Sequence, residues 1–383
     1  MKSLSAQRRQ VPPSGIREIY ERSFGDEEVV HLEIGTPSFT TPHHIINAAL
    51  EAAHRGFTHY TPNAGFPSLR EALAFKMHRV NQVKVALENI VVTAGAGLGL
   101  TLTFLVLCDE GEEVLIPDPG WPNFRILLQV HGFVPIPYPL RPGNGFLPDL
   151  EELERLVTPR TKALLINSPS NPTGAVFPQE TLQQLYEFCC RHDLFLVSDE
   201  VYEQILFDGR QHVSPASFDE EGRVISVYSF SKGYAMTGWR VGYVVAPREI
   251  AQHIAHLQEP FVSCAPALAQ KAAEEAVNGP QEAVESMVLA YLQRRDIALA
   301  LLEPYGCVPC PPQGAFYLWV DVSNLPFEDS RALALALLEK EKVAVAPGVA
   351  FGQQGKHWIR LSLAANEKDL VKGIECLSRY FEG

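Results

Sequence analysis

The chain has 383 residues, 46% hydrophobic and 20% charged, with a formal net charge of −13. That length exceeds one ordinary core and predicts two domains, and the acidic balance repels a phosphate backbone, which excludes nucleic acid as a general partner. No apolar run reaches the ~20 residues that a membrane span needs: the longest candidate, Leu98 to Leu107, is broken by Gly99, Thr101 and Thr103.

In chain order, the N-terminus MKSLSAQRRQVPPSG is basic but has no apolar stretch, so no secretion signal is expected. Seven cysteines at irregular spacing suit reduced thiols and a cytoplasmic location. Strands are expected at Ile90–Thr93, Val114–Ile116, Ala163–Asn167, Leu194–Ser198, Val224–Ser229 and Val241–Val245. Their apolar runs are continuous rather than alternating, as for parallel strands buried on both faces. Helical patterns fall between them at Leu98–Leu107, Leu150–Val157 and Glu180–Arg191. The alternation predicts an α/β fold with a mostly parallel sheet flanked by helices.

After Val262 the texture changes. Helical patterns at Ala265–Ala276, Gln281–Glu303 and Arg331–Glu341 surround short strand-like runs, Gly314–Val320 and His357–Leu363, which reads as a smaller α+β domain. The segment before Pro42 lacks the α/β texture and is assigned to that second domain. The expected division is a large domain over 43–281 and a discontinuous small one over 1–42 and 282–383. Cys307 and Cys310 form a lone CxxC inside CVPCPP, and a structural zinc takes about four ligands, so no metal site is expected.

Ligands of open α/β sheets bind beyond the carboxyl ends of the strands. Four polar clusters fall there: Ala94-Gly-Ala-Gly-Leu98, Asn171-Pro-Thr-Gly174, Asp199-Glu-Val-Tyr202 and Ser229-Phe-Ser-Lys232. Each alone could be a turn or a cap; four at equivalent ends of one sheet suggest a site. Backbone N–H groups of Ala96, Gly97 and Leu98 would open a helix, a favourable seat for a phosphate. Ser229 and Arg240 could reach the same phosphate, Asp199 could hold a ring nitrogen protonated, and Lys232 could form an imine with an aldehyde.

On these residues the chain resembles the fold-type I, pyridoxal 5′-phosphate (PLP)-dependent aminotransferases of classes I and II, whose sites pair a Schiff-base lysine with an acid at the pyridinium nitrogen. The resemblance runs from Pro12-Pro-Ser-Gly-Ile16 to Trp358-Ile-Arg-Leu361 and is carried chiefly by SFSKGYAMTGWRVG, Ser229 to Gly242, with NPTG and DEVY upstream in order. It implies that the large domain binds PLP and that Lys232 bonds the cofactor and later moves the proton. It implies that Asp199 meets the ring nitrogen, that Tyr202 and Asn171 meet the phenolic oxygen, and that Trp121 stacks on the ring. Ala96, Gly97, Leu98, Ser229 and Arg240 would hold the phosphate. Tyr60 would reach the phosphate of a neighbouring subunit in a homodimer. Arg360 would bind the substrate α-carboxylate, with Gly35 opposite and with Trp121 and Asn171 also facing the substrate. The resemblance further implies a cis Asn171–Pro172 bond, and ping-pong transfer from an aspartate-type or aromatic L-amino acid to a 2-oxo acid such as 2-oxoglutarate.

The chain departs from the family pattern at Gly35-Thr-Pro-Ser-Phe39, which lacks a frequent acid, and at Gly97, where a hydroxyl residue is common. No second arginine is assignable to a distal carboxylate. Other chemistries fit less well. Gly95-Ala-Gly97-Leu-Gly99 fails the dinucleotide fingerprint because residue 100 is Leu. Ser229-Phe-Ser-Lys232 satisfies the SxxK of serine acyl enzymes without the accompanying K-T-G. A purely regulatory binding module would not need an imine-forming lysine. Carbon–sulfur β-elimination, decarboxylation and γ-elimination share cofactor and fold, and the fold does not decide among them.

Overall fold

The computed structural model describes residues 14–382; Pro12 and Pro13, the rest of the N-terminal stretch and Gly383 lie outside the described residues. Twelve strands occur among the described residues: β1 (Val30–His31), β2 (Ile90–Thr93), β3 (Glu113–Asp118), β4 (Val134–Pro139), β5 (Thr161–Asn167), β6 (Phe195–Asp199), β7 (Val224–Ser229), β8 (Gly242–Val245), β9 (Tyr317–Asp321), β10 (Val343–Ala344), β11 (Ala346–Pro347) and β12 (Trp358–Ser362).

Seven of them form the central sheet in the order β2-β8-β7-β6-β5-β3-β4. All neighbours are parallel except β8, which runs antiparallel to both β2 and β7. The continuous apolar runs follow from burial on both faces. In β5, Ala163 and Leu165 join one apolar cluster with Leu100, Phe104 and Ile254. Leu164 and Ile166 join the opposite one with Leu182, Leu185 and Phe188. Successive side chains leave a strand on opposite faces, so both must be apolar when helices cover both. The covering helices carry the matching stripe: Ala251, Ile254, Ala255 and Gln258 are the buried residues of Arg248–Val262, at i, i+3, i+4 and i+7.

β4 is a strand that the sequence reading did not anticipate. Its prolines, 135, 137 and 139, alternate with Val134, Ile136 and Tyr138, and β4 is the outer strand next to β3. Val134 donates its N–H to Glu112 O at 2.9 Å. Prolines on the alternate positions cost nothing because those N–H groups would face away from the sheet.

The remaining strands lie apart from this sheet. β9, β12 and β11 make an antiparallel three-stranded sheet, in which Arg360 pairs with Trp319 and Ser362 with Tyr317. β1 pairs in parallel with β10, joining the N-terminal part of the chain to residues more than three hundred positions later, Val30 to Val343. Asp329 caps the helix Ser330–Glu341 by accepting from Ala332 N–H. Cys307 is buried and its Sγ is directed to Leu302 O, whereas Cys310 Sγ is directed to Pro142 O, so the two thiols of the CxxC have different partners.

Candidate active site

The polar clusters converge because strands β2, β3, β5, β6 and β7 end on the same side of the sheet. β8 starts on that side because it is reversed, and so places Arg240, two residues before it, at the same edge. The cavity there has a volume of about 300 Å³. Its wall includes Gly35, Ala96, Gly97, Trp121, Asn171, Asp199, Tyr202, Ser229, Lys232, Arg240 and Arg360, eleven of the residues singled out from sequence. Two others are placed elsewhere. Leu98 is absent from the wall; as the third residue of the helix it packs against the apolar cluster of Leu100 and Phe104. Tyr60 lies on the outer surface, 87% exposed. The Asn171–Pro172 bond is cis.

The helix Ala96–Leu107 points its N-terminus at the cavity. Its first turn has no acidic residue and no side-chain cap, so its leading N–H groups are available to an anion. Gly95 has φ +87°, and a Cβ there would lie 2.4 Å from the Arg240 guanidinium, so glycine is required for the arginine to approach. Arg240 Nη1 donates to Thr237 O at 2.9 Å, which aims the group. At Gly97 an added Cβ would meet nothing nearer than the Trp121 ring at 4.0 Å, leaving open space between helix and indole.

On the neighbouring strand ends stand a base and an acid. Lys232 Nζ donates to Gly35 O at 2.7 Å. Burial, reinforced by the charges of Arg360 and Arg240, lowers its pKa to about 8 against the opposing pull of Asp199. The Asp199 carboxylate is buried with one hydrogen bond, from Val201 N–H at 3.3 Å. Burial pushes its pKa up to about 7, against the weaker pulls of the Val201 N–H and the Lys232 charge. Asn167, which the sequence reading passed over, holds the turn: its Nδ2 donates to Asp199 O at 3.0 Å and its Oδ1 accepts from Asn171 N–H at 2.7 Å.

Arg360 closes the cavity from β12. It is 2% exposed, donates from Nη1 to Asn171 Oδ1 at 2.8 Å and from Nη2 to Glu33 O, and lies over the Tyr317 ring at 4.1 Å. Its Nε has no hydrogen-bond partner, a buried donor that a carboxylate would satisfy. Because Asn171 Oδ1 is engaged by Arg360, its amide N–H₂ is the end free to face the cavity. Tyr202 and Tyr317 share a hydrogen bond at 2.9 Å. Tyr317 lines the cavity without having been singled out from sequence, as do Ile34, Thr36, Ser231 and Thr237.

An uncapped helix N-terminus beside an arginine and a serine, an unpaired buried acid and a lysine of lowered basicity fit a phosphorylated aldehyde with a basic ring nitrogen. Among the described residues, the side-chain cations in the cavity wall are Lys232, Arg240 and Arg360. No group of three His, Cys, Asp or Glu residues there is arranged to hold a metal ion, and no helix is long and apolar enough to cross a membrane.

Comparison with known proteins points the same way. Residues 27–376 match the family model described as aminotransferase class I and II. The chain is 42% identical to a probable aspartate/prephenate aminotransferase of Aquifex aeolicus, over 93% of this chain and 91% of that protein. It is 36% identical to an aspartate aminotransferase of Pyrococcus horikoshii, over 97% and 95%. Among solved structures, the aspartate aminotransferase of Thermus thermophilus with maleate superposes with a TM-score of 0.94 at 38% identity, covering 99% of this chain and 100% of that one.

Proposed function

This chain belongs to the class I and II aminotransferases, and from that premise we propose that it is a PLP enzyme in which Lys232 is both the bonded amine and the proton carrier. The enzyme is an aminotransferase that moves an amino group from an L-amino acid to a 2-oxo acid. The observation that carries the cofactor reading is the juxtaposition, in one cavity, of part-buried Lys232 and buried Asp199 with the uncapped helix N-terminus and Arg240.

When bound, PLP supplies an aldehyde carbon that bonds amines and a protonated ring that takes up the electron pair left when the α-proton departs. The chain's residues divide the remaining work. Ala96 and Gly97 N–H groups, Ser229 and Arg240 would hold the phosphate; Leu98, whose side chain packs in the apolar cluster, would offer its backbone N–H alone. Asp199 keeps the ring nitrogen charged, and that charge in turn lowers the acid's own pKa. Trp121 would lie against the ring, while Tyr202 O–H and Asn171 N–H₂ would be the donors for the phenolic oxygen. Arg360 binds the α-carboxylate through its fork, with Gly35 opposite. Lys232 Nζ, when free and neutral, would accept the substrate's α-proton and hand it on; its lowered pKa keeps a larger neutral fraction near neutrality.

The site is built from both expected parts of the chain, 43–281 supplying Lys232 and Asp199, and 1–42 with 282–383 supplying Gly35 and Arg360. That supports reading the second part as a discontinuous small domain. Tyr60 completes the phosphate site of a second copy in a homodimer. Its support is an exposed apolar surface: Tyr60 adjoins the segment of Phe261 and Val262, 47% and 43% exposed, through Thr61 N–H to Cys264 Sγ and Asn63 to Glu259. The seven free cysteines agree with a cytoplasmic location. The donor is aspartate-type or aromatic, and aspartate is the donor in the names of the relatives above.

Single amino acids added to PLP-loaded protein without any oxo acid test the reading. One equivalent of oxo acid per site, released with loss of the visible band, is expected for the true donor class. Continuous release of pyruvate and ammonia, or of carbon dioxide, would overturn transamination in favour of elimination or decarboxylation.

A further inference from the structure

We propose that Tyr317 is a positioning residue that couples Arg360, which binds the substrate carboxylate, to Tyr202, which faces the cofactor's phenolic oxygen. The inference rests on the PLP reading above and adds a link between its two halves.

Tyr317 opens β9, and its pairing with Ser362 puts its side chain on the same face of the sheet as Arg360, two positions away on β12. The Arg360 guanidinium lies 4.1 Å from its ring centre, and its hydroxyl is 2.9 Å from that of Tyr202. The two tyrosines are 2% and 3% exposed, so water does not compete for the bond. The hydroxyl also occupies the space that a side chain at position 35 would need: a Cβ on Gly35 would lie 1.9 Å from it. Gly35 O in turn accepts from Lys232 Nζ. One phenol therefore touches the carboxylate-binding arginine, the cofactor-facing tyrosine and the residue that seats the lysine.

The direction of the shared hydrogen bond follows from what each hydroxyl can do. Tyr202 has one proton; when it is donated to the cofactor's oxygen, the Tyr202 oxygen is left to accept, and Tyr317 must donate. Burial raises the Tyr317 pKa, and the Arg360 charge over its ring opposes that, which strengthens it as a donor. A donor bond to an anionic oxygen favours the anion. The paired phenols thus help set the pH at which the cofactor's visible absorption changes. A carboxylate arriving at Arg360 offsets the charge that acts on Tyr317 and so alters the same oxygen from a distance.

The test uses Tyr317→Phe, Tyr317→Leu and Gly35→Ala in the full chain loaded with PLP. The phenylalanine keeps the ring under Arg360 and drops the hydroxyl. It is expected to raise the pH midpoint of the visible absorption by about half a unit and to leave KM for the amino acid within about twofold of wild type, since the cation–ring contact persists. Leucine removes ring and hydroxyl together and is expected to raise KM about tenfold. Gly35→Ala, which must push the hydroxyl aside, is expected to move the midpoint in the same direction as the phenylalanine. An unmoved midpoint in Tyr317→Phe overturns the inference. Equal KM increases for Phe and Leu also overturn it, because the hydroxyl would then belong to the carboxylate site itself. If wild-type protein develops no visible band with PLP, it is the cofactor reading that fails, and the two failures are distinct.

Discussion

Replacing Asp199 by asparagine should stabilise the cofactor-free protein while destroying its catalysis. The side chain is 4% exposed and receives one hydrogen bond. Burial is the first cause that raises its pKa from 3.8 to about 7. A carboxyl whose folded pKa lies above its unfolded one costs stability as pH rises between the two, because the unfolded chain ionises first. About three units at ~1.36 kcal/mol each amount to about 4 kcal/mol, fully present at pH 8. At pH 5 only about one unit of the window has been crossed, and the cost is roughly a third of that. Asparagine has the same shape and no charge to desolvate. Urea melts of PLP-free wild type and Asp199→Asn should therefore differ by about 4 kcal/mol in favour of the variant at pH 8 and by roughly a third of that at pH 5. Adding PLP should stabilise wild type more than the variant, since the charged ring nitrogen supplies the missing partner. A variant less stable than wild type at pH 8, or a gap independent of pH, would refute the argument that Asp199 is held unpaired until a cation arrives.

Lys232→Ala should lose the visible band and at least ~10³-fold in turnover while still retaining PLP through phosphate and ring contacts; dialysis followed by absorption and rate measurements checks this, and a tenth of wild-type rate would be incompatible with it. Gly95→Ala should displace the Arg240 guanidinium and raise the PLP dissociation constant ~10–100-fold, the worth of one charge-assisted bond; fluorescence titration of PLP-free protein reads it, and an unchanged constant would detach Arg240 from the phosphate. If Tyr60 completes the neighbouring site, dilution of the protein until it dissociates should release PLP, as followed by sedimentation and absorbance together. A monomer that keeps its cofactor and full rate would remove Tyr60 from the site.

Strand positions were legible where burial on both faces leaves an unbroken apolar run, as at Ile90–Thr93 and Val224–Ser229, whose bounds match the structure. β4 was not, because Pro135, Pro137 and Pro139 read as breakers until the strand is known to be outermost. Nor was the reversal of β8: a buried strand has the same pattern in either direction, although the reversal is what delivers Arg240. Lys232, Asp199 and Asn171 stood out because charged or amide groups beyond the ends of apolar strands have few structural uses, whereas Arg360, in the middle of β12, was marked by the family resemblance alone. Tyr317 did not, since Phe316, Tyr317 and Trp319 together look like core, and only the register with β12 decides which ring lies beneath Arg360. In the sequence Asn167 is only the last residue of a strand, and its two hydrogen bonds to the turn follow only from the folded backbone.

The pairing of Val30 with Val343 bears on the order in which a newly made chain assembles. Every strand of the seven-stranded sheet lies between Ile90 and Val245, so Lys232, Asp199 and Arg240 reside in a body whose pairings are complete once that stretch has left the ribosome. β1 must wait for β10, and Leu32 O waits for Ser362 N–H. Such distant partners close late, because the loop entropy is spent before the contact rewards it. The groups proposed to hold the cofactor therefore come together before Arg360, the group proposed to bind the substrate carboxylate, while the N-terminal strand is still without a partner.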